Sequence, residues 1–133
     1  MAKEDAALLR ELKRLTEGLQ FQSESDYPVE PFAPGAGGGA ASAREAVASA
    51  GGGAETRAAD FDGFFAAATE EQDWHDEEAR ARVRKFQTLV KYLKHNLADL
   101  QVFKVGDAEA DVYVVGRTAS GSLAGVKTKV VET

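Results

Sequence analysis

The chain has no cysteine, two histidines, one tryptophan and one methionine among its 133 residues. Without cysteine there is no disulfide framework, no thiolate zinc site and no cysteine nucleophile. No stretch approaches the roughly 18 apolar residues of a membrane span, which excludes an integral membrane protein. The opening MAKEDAALLRELKR carries charge where a signal peptide needs an apolar run, so no export signal is visible and a cytoplasmic location is expected. The two histidines, His75 and His95, form neither H-E-x-x-H nor a paired-histidine spacing. No Gly-Lys-Ser/Thr follows the glycine-rich stretch, which rules out a P-loop, and no G-x-S-x-G elbow surrounds Ser23 or Ser25. The formal net charge is −6, against the clustered cations that phosphate-backbone binding requires, so direct nucleic-acid binding is not expected.

What is present begins with an uneven charge. Residues 1–78 hold 17 Asp+Glu against 6 Lys+Arg, a net of −11, while residues 79–133 hold 5 against 10, a net of +5. The acidic side chains fall mainly in two clusters, Glu24, Asp26 and Glu30, and Glu70, Glu71, Asp73, Asp76, Glu77 and Glu78. Such a surface speeds encounter with a basic partner, and it also keeps a protein soluble without any partner.

The length fits one domain, taken as residues 1–133. Leu8, Leu12, Leu15 and Leu19 fall at 4, 3, 4 spacing, which predicts a first amphipathic helix with Gly18 as its stop. In FQSESDYPVEPFAP, Ser23, Ser25 and Asp26 favour turns and three prolines forbid a long helix, leaving room for a short edge strand around residues 27–33. Residues 35–54 are Gly/Ala-rich and read as a flexible insert around a short helix near 42–49. Gly35, Gly37 and Ala40 formally fit G-x-G-x-x-A, but no strand precedes them and they are read as linker.

Asp60 caps a short helix whose Phe61, Phe64 and Phe65 point inward. Thr69 and Gln72 fit a capping box, which predicts a long helix from about residue 70 to 98. Its core stripe is Ala79, Val83, Phe86, Val90, Leu93 and Leu97, and its acidic start and basic end suit the helix macrodipole. QVFKVG, DVYVVGRTA and SLAGVKTKVVET read as an antiparallel meander, with turns at Gly106-Asp107 and Ser120-Gly121. Val112 and Val114 face one side and Tyr113 and Val115 the other, so both faces need cover. The fold class expected is α+β, an α-β-α sandwich with a central, mainly antiparallel sheet.

Two features invite a functional reading. If the long helix is continuous from residue 70, Trp74 points about 140° from the core stripe and stands exposed between Asp73 and Asp76, as an interface residue does. If the helix breaks near residue 75, Trp74 packs under a loop instead. The second feature is the apolar run that continues almost to Thr133, which would bring oxygen donors from Glu132 and Thr133 to an edge of the domain, donors suited to a hard cation such as Mg²⁺. An ordinary edge strand is the bland alternative.

QSESDYP, ATEEQDW, KFQTLVKYLKHNL, DVYVVG and above all LAGVKTKVVET resemble the nuclease A inhibitor family of bacterial proteins, over nearly the full length. The resemblance implies an intracellular α-β-α protein that inhibits a sugar-nonspecific DNA/RNA endonuclease of the ββα-metal type. It implies that Thr133 reaches the catalytic Mg²⁺ of that enzyme, that Glu24 pairs with an active-site arginine, and that Gln72, Asp73 and Trp74 form a second contact loop. The Mg²⁺ belongs to the partner, so no cofactor and no catalytic residue are expected in this chain. A monomer forming a 1:1 complex, with no membrane association, completes the expectation. The sequence departs from the family in its Gly/Ala-rich insert and in His75 beside the tryptophan. Two competing readings are an acidic binding module for a different basic partner and a metal-dependent hydrolase built on the acidic cluster around His75.

Overall fold

The computed structural model describes residues 3–22, 26–33, 56–70, 76–106, 109–119 and 121–131. The first helix, α1, spans Lys3–Thr16. Gly18 follows it at φ +72°, a left-handed conformation that suits a residue without Cβ, and the Leu19 N–H closes the helix end on the Thr16 carbonyl at 3.0 Å. Leu8, Leu12 and Leu19 are buried as their spacing predicts, although Leu19 has left the helix by then.

Three short strands come next: β1 (Gln20–Gln22), β2 (Asp26–Pro28) and β3 (Glu30–Phe32). β1 and β2 form a two-stranded antiparallel hairpin, with Phe21 opposite Tyr27. β3 instead joins the main sheet, which confirms the edge strand expected around residues 27–33. That sheet has five antiparallel strands in the order β3-β7-β6-β5-β4, with β4 at Thr56–Ala59, β5 at Ala98–Gly106, β6 at Glu109–Arg117 and β7 at Leu123–Val131. The three-stranded meander is therefore present, and the β3 and β4 edges flank it. The helix expected near 42–49 and the G-x-G-x-x-A segment lie outside the described residues.

Asp60 caps α2 (Phe61–Phe65), its carboxylate accepting the Gly63 N–H at 2.8 Å, and a 3-10 turn at Ala67–Thr69 follows. The long helix, α3, spans Glu77–Asn96. Its start corrects the capping box placed at Thr69 and Gln72. The Thr69 hydroxyl turns back to donate to the Phe65 carbonyl at 2.9 Å, Glu70 is extended, and Asp76 is the cap, accepting the Ala79 N–H at 2.8 Å. Asp competes well as an N-cap, and Glu77 and Glu78 then occupy the first turn, where the helix dipole favours negative charge. The helix thus starts at Glu77 rather than near residue 70, and the orientation read for Trp74 falls outside the described residues.

The core is built on one face of the sheet. Leu8 and Leu12 of α1, Phe65 of α2, and Phe86, Leu89 and Leu93 of α3 pack on Val102, Val112, Val114, Ala124, Val126 and Val130. Leu89, which the 4-3 stripe passes over, is fully buried, while Val90 is only half-buried. On the other face Phe103, Val105, Tyr113, Val115 and Leu123 are buried with Phe32 against them; among the described residues this second cluster holds strand side chains only. The opposite facings of Val112/Val114 and Tyr113/Val115 are as the alternation requires.

Candidate functional site

The five residues singled out as partner contacts, Glu24, Gln72, Asp73, Trp74 and Thr133, lie outside the described residues, and so does His75. The segments that lead to them are described, and they define the candidate site.

Residues 23–25 connect the two strands of the hairpin, whose last paired positions are Gln22 and Asp26. The hairpin is anchored by its middle residue. Phe21 stacks on Phe64 with centroids 4.6 Å apart and meets the rings of Phe65 and Phe86 edge-on at 6.5 and 5.8 Å. Stacked and edge-to-face rings of this kind add to simple burial. The hairpin ladder also runs one step beyond β1, since the Val29 N–H donates to the Leu19 carbonyl at 2.9 Å.

Residues 132–133 follow β7, whose last residue, Val131, pairs with Glu109. β7 is antiparallel to β3, with Phe32 opposite Gly125 and Glu30 opposite Lys127. Moving forward along β7 is therefore moving backward along the preceding chain toward β2. At Thr128 the two meet: its Oγ1 donates to the Pro28 carbonyl at 3.0 Å and lies 3.4 Å from the Tyr27 carbonyl. The hairpin and the end of β7 thus share one edge of the molecule.

Residues 71–75 connect Glu70 to the Asp76 cap. The turn ahead of them is held to α3 by Gln87, whose Nε2 donates to the Thr69 carbonyl at 2.8 Å. Both ends of this connection are consequently fixed on the same helix.

Beside the β2–β7 junction is a cleft of about 230 Å³. Tyr27 and Tyr113 supply aromatic walls, and Lys127 and Lys129 face Glu30 and Asp111. Lys129 Nζ bonds Glu109 Oε1 at 3.3 Å and lies 5.6 Å from the Tyr27 ring centre. The Glu109 hydrogen bond holds the Lys129 ammonium above the ordinary lysine range. Burial, and secondarily Asp111, push the Tyr113 phenol up. Among the described residues no group of three or more His, Cys, Asp or Glu side chains could hold a metal ion. Likewise, no described helix is long and apolar enough to cross a membrane.

Sequence reading missed Thr128, Lys129 and Tyr27 as a contact set. The hairpin signal was weak: the β1 and β2 strands are three residues each, and the prolines at 28 and 31 argue against regular pairing.

The geometry is that of an α+β scaffold in which a sheet edge and the start of a helix lead into segments 23–25, 71–75 and 132–133, themselves outside the described residues. A family model described as Nuclease A inhibitor-like protein matches residues 6–133. The chain belongs to the nuclease A inhibitor-like family, and membership supports a nuclease-inhibitor role in general. No curated protein matches the chain.

Proposed function

We propose that this protein is a stoichiometric inhibitor of a sugar-nonspecific, metal-dependent DNA/RNA endonuclease of the ββα-metal type. In this reading Glu24 engages an arginine of the enzyme, Thr133 offers its carboxylate to the enzyme's Mg²⁺, and Gln72, Asp73 and Trp74 form a second contact loop. The observation that carries it is the family match across residues 6–133, a span that includes all five residues. The meeting of β2 with β7 at Thr128 supports it further, because the chain leading to Glu24 and the chain leading to Thr133 then approach one edge.

The chemistry is competition for cations. A nuclease cleft holds a polyanion with basic side chains and a metal, and carboxylates brought to the same place satisfy the same charges. The inhibitor needs no cofactor and no catalytic group of its own, and it acts as a monomer in a 1:1 complex, in the cytoplasm.

The test is a titration of nuclease activity with the untagged protein, the Glu24→Ala variant and a variant lacking Thr133. Glu24→Ala removes one partner of the proposed charge pair, and loss of Thr133 draws the terminal carboxylate back by one residue to Glu132, so each weakens inhibition by about 2–5 kcal/mol. Circular dichroism stays that of the parent protein. Unchanged inhibition constants in both variants defeat the assignment.

A further inference from the structure

The β1–β2 hairpin is not part of the five-stranded sheet, yet it lies along β7. What joins the two follows from the hairpin's register. The Val29 N–H bonds the Leu19 carbonyl, so positions 19 and 29 are a hydrogen-bonded pair. Antiparallel ladders alternate, which makes 21/27 the next such pair and 20/28 a non-bonded one. Proline at 28 therefore costs the hairpin no donor, and its carbonyl faces away from β1. On that far side a side chain reaches it, the Thr128 hydroxyl donating at 3.0 Å. Pro28 has no N–H to offer β7 in return, so a backbone ladder does not form there, and the hydroxyl stands in for it.

β7 is gripped on its other face as well. Thr128 shares the face of Val126 and Val130, which pack in the main core, whereas Lys129 projects to the opposite face and lies over the Tyr27 ring. Lys129 is in turn tied to Glu109 of β6. The hydroxyl is the shorter-range and more directional of the two ties.

We propose that Thr128 is a positioning residue that locks the β1–β2 hairpin to β7, so that the segments leading to Glu24 and to Thr133 are presented to the nuclease as one unit. The proposal rests on the inhibitor reading for its functional half and on the hydrogen bond alone for its structural half.

Two variants of the full chain test it. Thr128→Val keeps the shape and removes the donor; Thr128→Ser keeps the donor. One hydrogen bond corresponds to roughly a fivefold weakening of inhibition of a ββα-metal endonuclease by Thr128→Val, and Thr128→Ser restores the parent value. In a Glu24→Ala background, Thr128→Val has a smaller effect, because the element it positions has lost its contact. Independently of any nuclease, amide hydrogen exchange at Phe21, Tyr27 and Val29 quickens in Thr128→Val, while the central amides of β5 and β6 keep their protection. Unchanged exchange in the hairpin overturns the tie. Faster exchange with unchanged inhibition, or a loss that serine does not restore, overturns the positioning role. If the parent protein inhibits no such nuclease, the function proposed above falls and with it the presentation to a nuclease, while the exchange measurement still decides whether Thr128 locks the hairpin.

Discussion

Leu12, Leu89 and Leu93 on the helical face of the sheet have no exposed surface at all, whereas Thr128 and Lys129, at the edge shared with the hairpin, are only half-buried. The first region is held by many non-directional contacts among leucine, valine and phenylalanine side chains. The second is held by a hydroxyl, a lysine over an aromatic ring and one ion pair. Burial of apolar area dominates folding free energy, while single exposed polar contacts contribute little to it. In the inhibitor reading proposed above, the difference separates stability from recognition: the helical face sets whether the protein folds, and the edge sets what the folded protein presents.

The strongest attempt to break this separation is made in the core. Leu93→Ala removes a fully buried side chain that packs between α3 and the sheet, and it lowers stability by about 2–5 kcal/mol in urea denaturation. Under conditions where the variant remains folded, its inhibition constant matches that of the parent. A folded Leu93→Ala protein that had lost inhibition would show that the core also sets the presented surface, and the comparison would fail.

A second test moves to the boundary between the two regions. Gly125 of β7 faces Phe32 on one side and Val115 on the other, and a Cβ there would collide with the Val114 carbonyl oxygen of β6. The obstacle is backbone rather than a flexible side chain, so Gly125→Ala must shift a strand. A loss of about 1–3 kcal/mol is expected, read from the same denaturation curves. Because β7 leads directly to Thr128, this variant also disturbs the hairpin tie, and unlike Leu93→Ala it weakens inhibition along with stability.

How much of this was legible in the sequence depended on the kind of signal. The meander was visible because valine-rich alternation is local, and the Asp60 cap was visible because a capping carboxylate sits three residues from its N–H. The start of α3 differs from the reading because Thr69-x-x-Gln72 and Asp76 both offer cap chemistry, while in the fold the Thr69 hydroxyl bonds back to Phe65, its carbonyl accepts from Gln87, and Asp76 takes the Ala79 N–H. β4 was not seen: Thr-Arg-Ala-Ala has little strand preference of its own and forms by pairing with β5 from Thr56↔Val105 to Ala59↔Val102. The hairpin lock was beyond sequence reading, because it joins residues 100 positions apart through a carbonyl that only the register turns outward. Of the candidate site, the family resemblance reached the residues through their motifs, and the family match over 6–133 upholds the family itself.

The smallest effect sharpens the comparison from the polar side. Glu109 holds the Lys129 proton more tightly in the folded protein than in the unfolded chain, and burial does the same for the Tyr113 phenol. A group whose folded value is raised gives stability that is complete below its unfolded value and is lost as pH rises through the folded one. Both groups therefore act in one direction: stability declines above pH 10.0 through Tyr113 and above pH 10.5 through Lys129, whose ordinary values these are. Glu109→Gln is expected to lie slightly below the parent near neutrality and to converge with it at the alkaline end, since the pair is largely exposed and solvent screens it. Tyr113→Phe removes the phenol and flattens the alkaline limb more than Glu109→Gln does, because its shift comes from burial rather than from an exposed partner. Urea midpoints across the alkaline range check both variants, and equal alkaline limbs for parent and Tyr113→Phe would show that the second face of the sheet does not resist ionisation of its tyrosine.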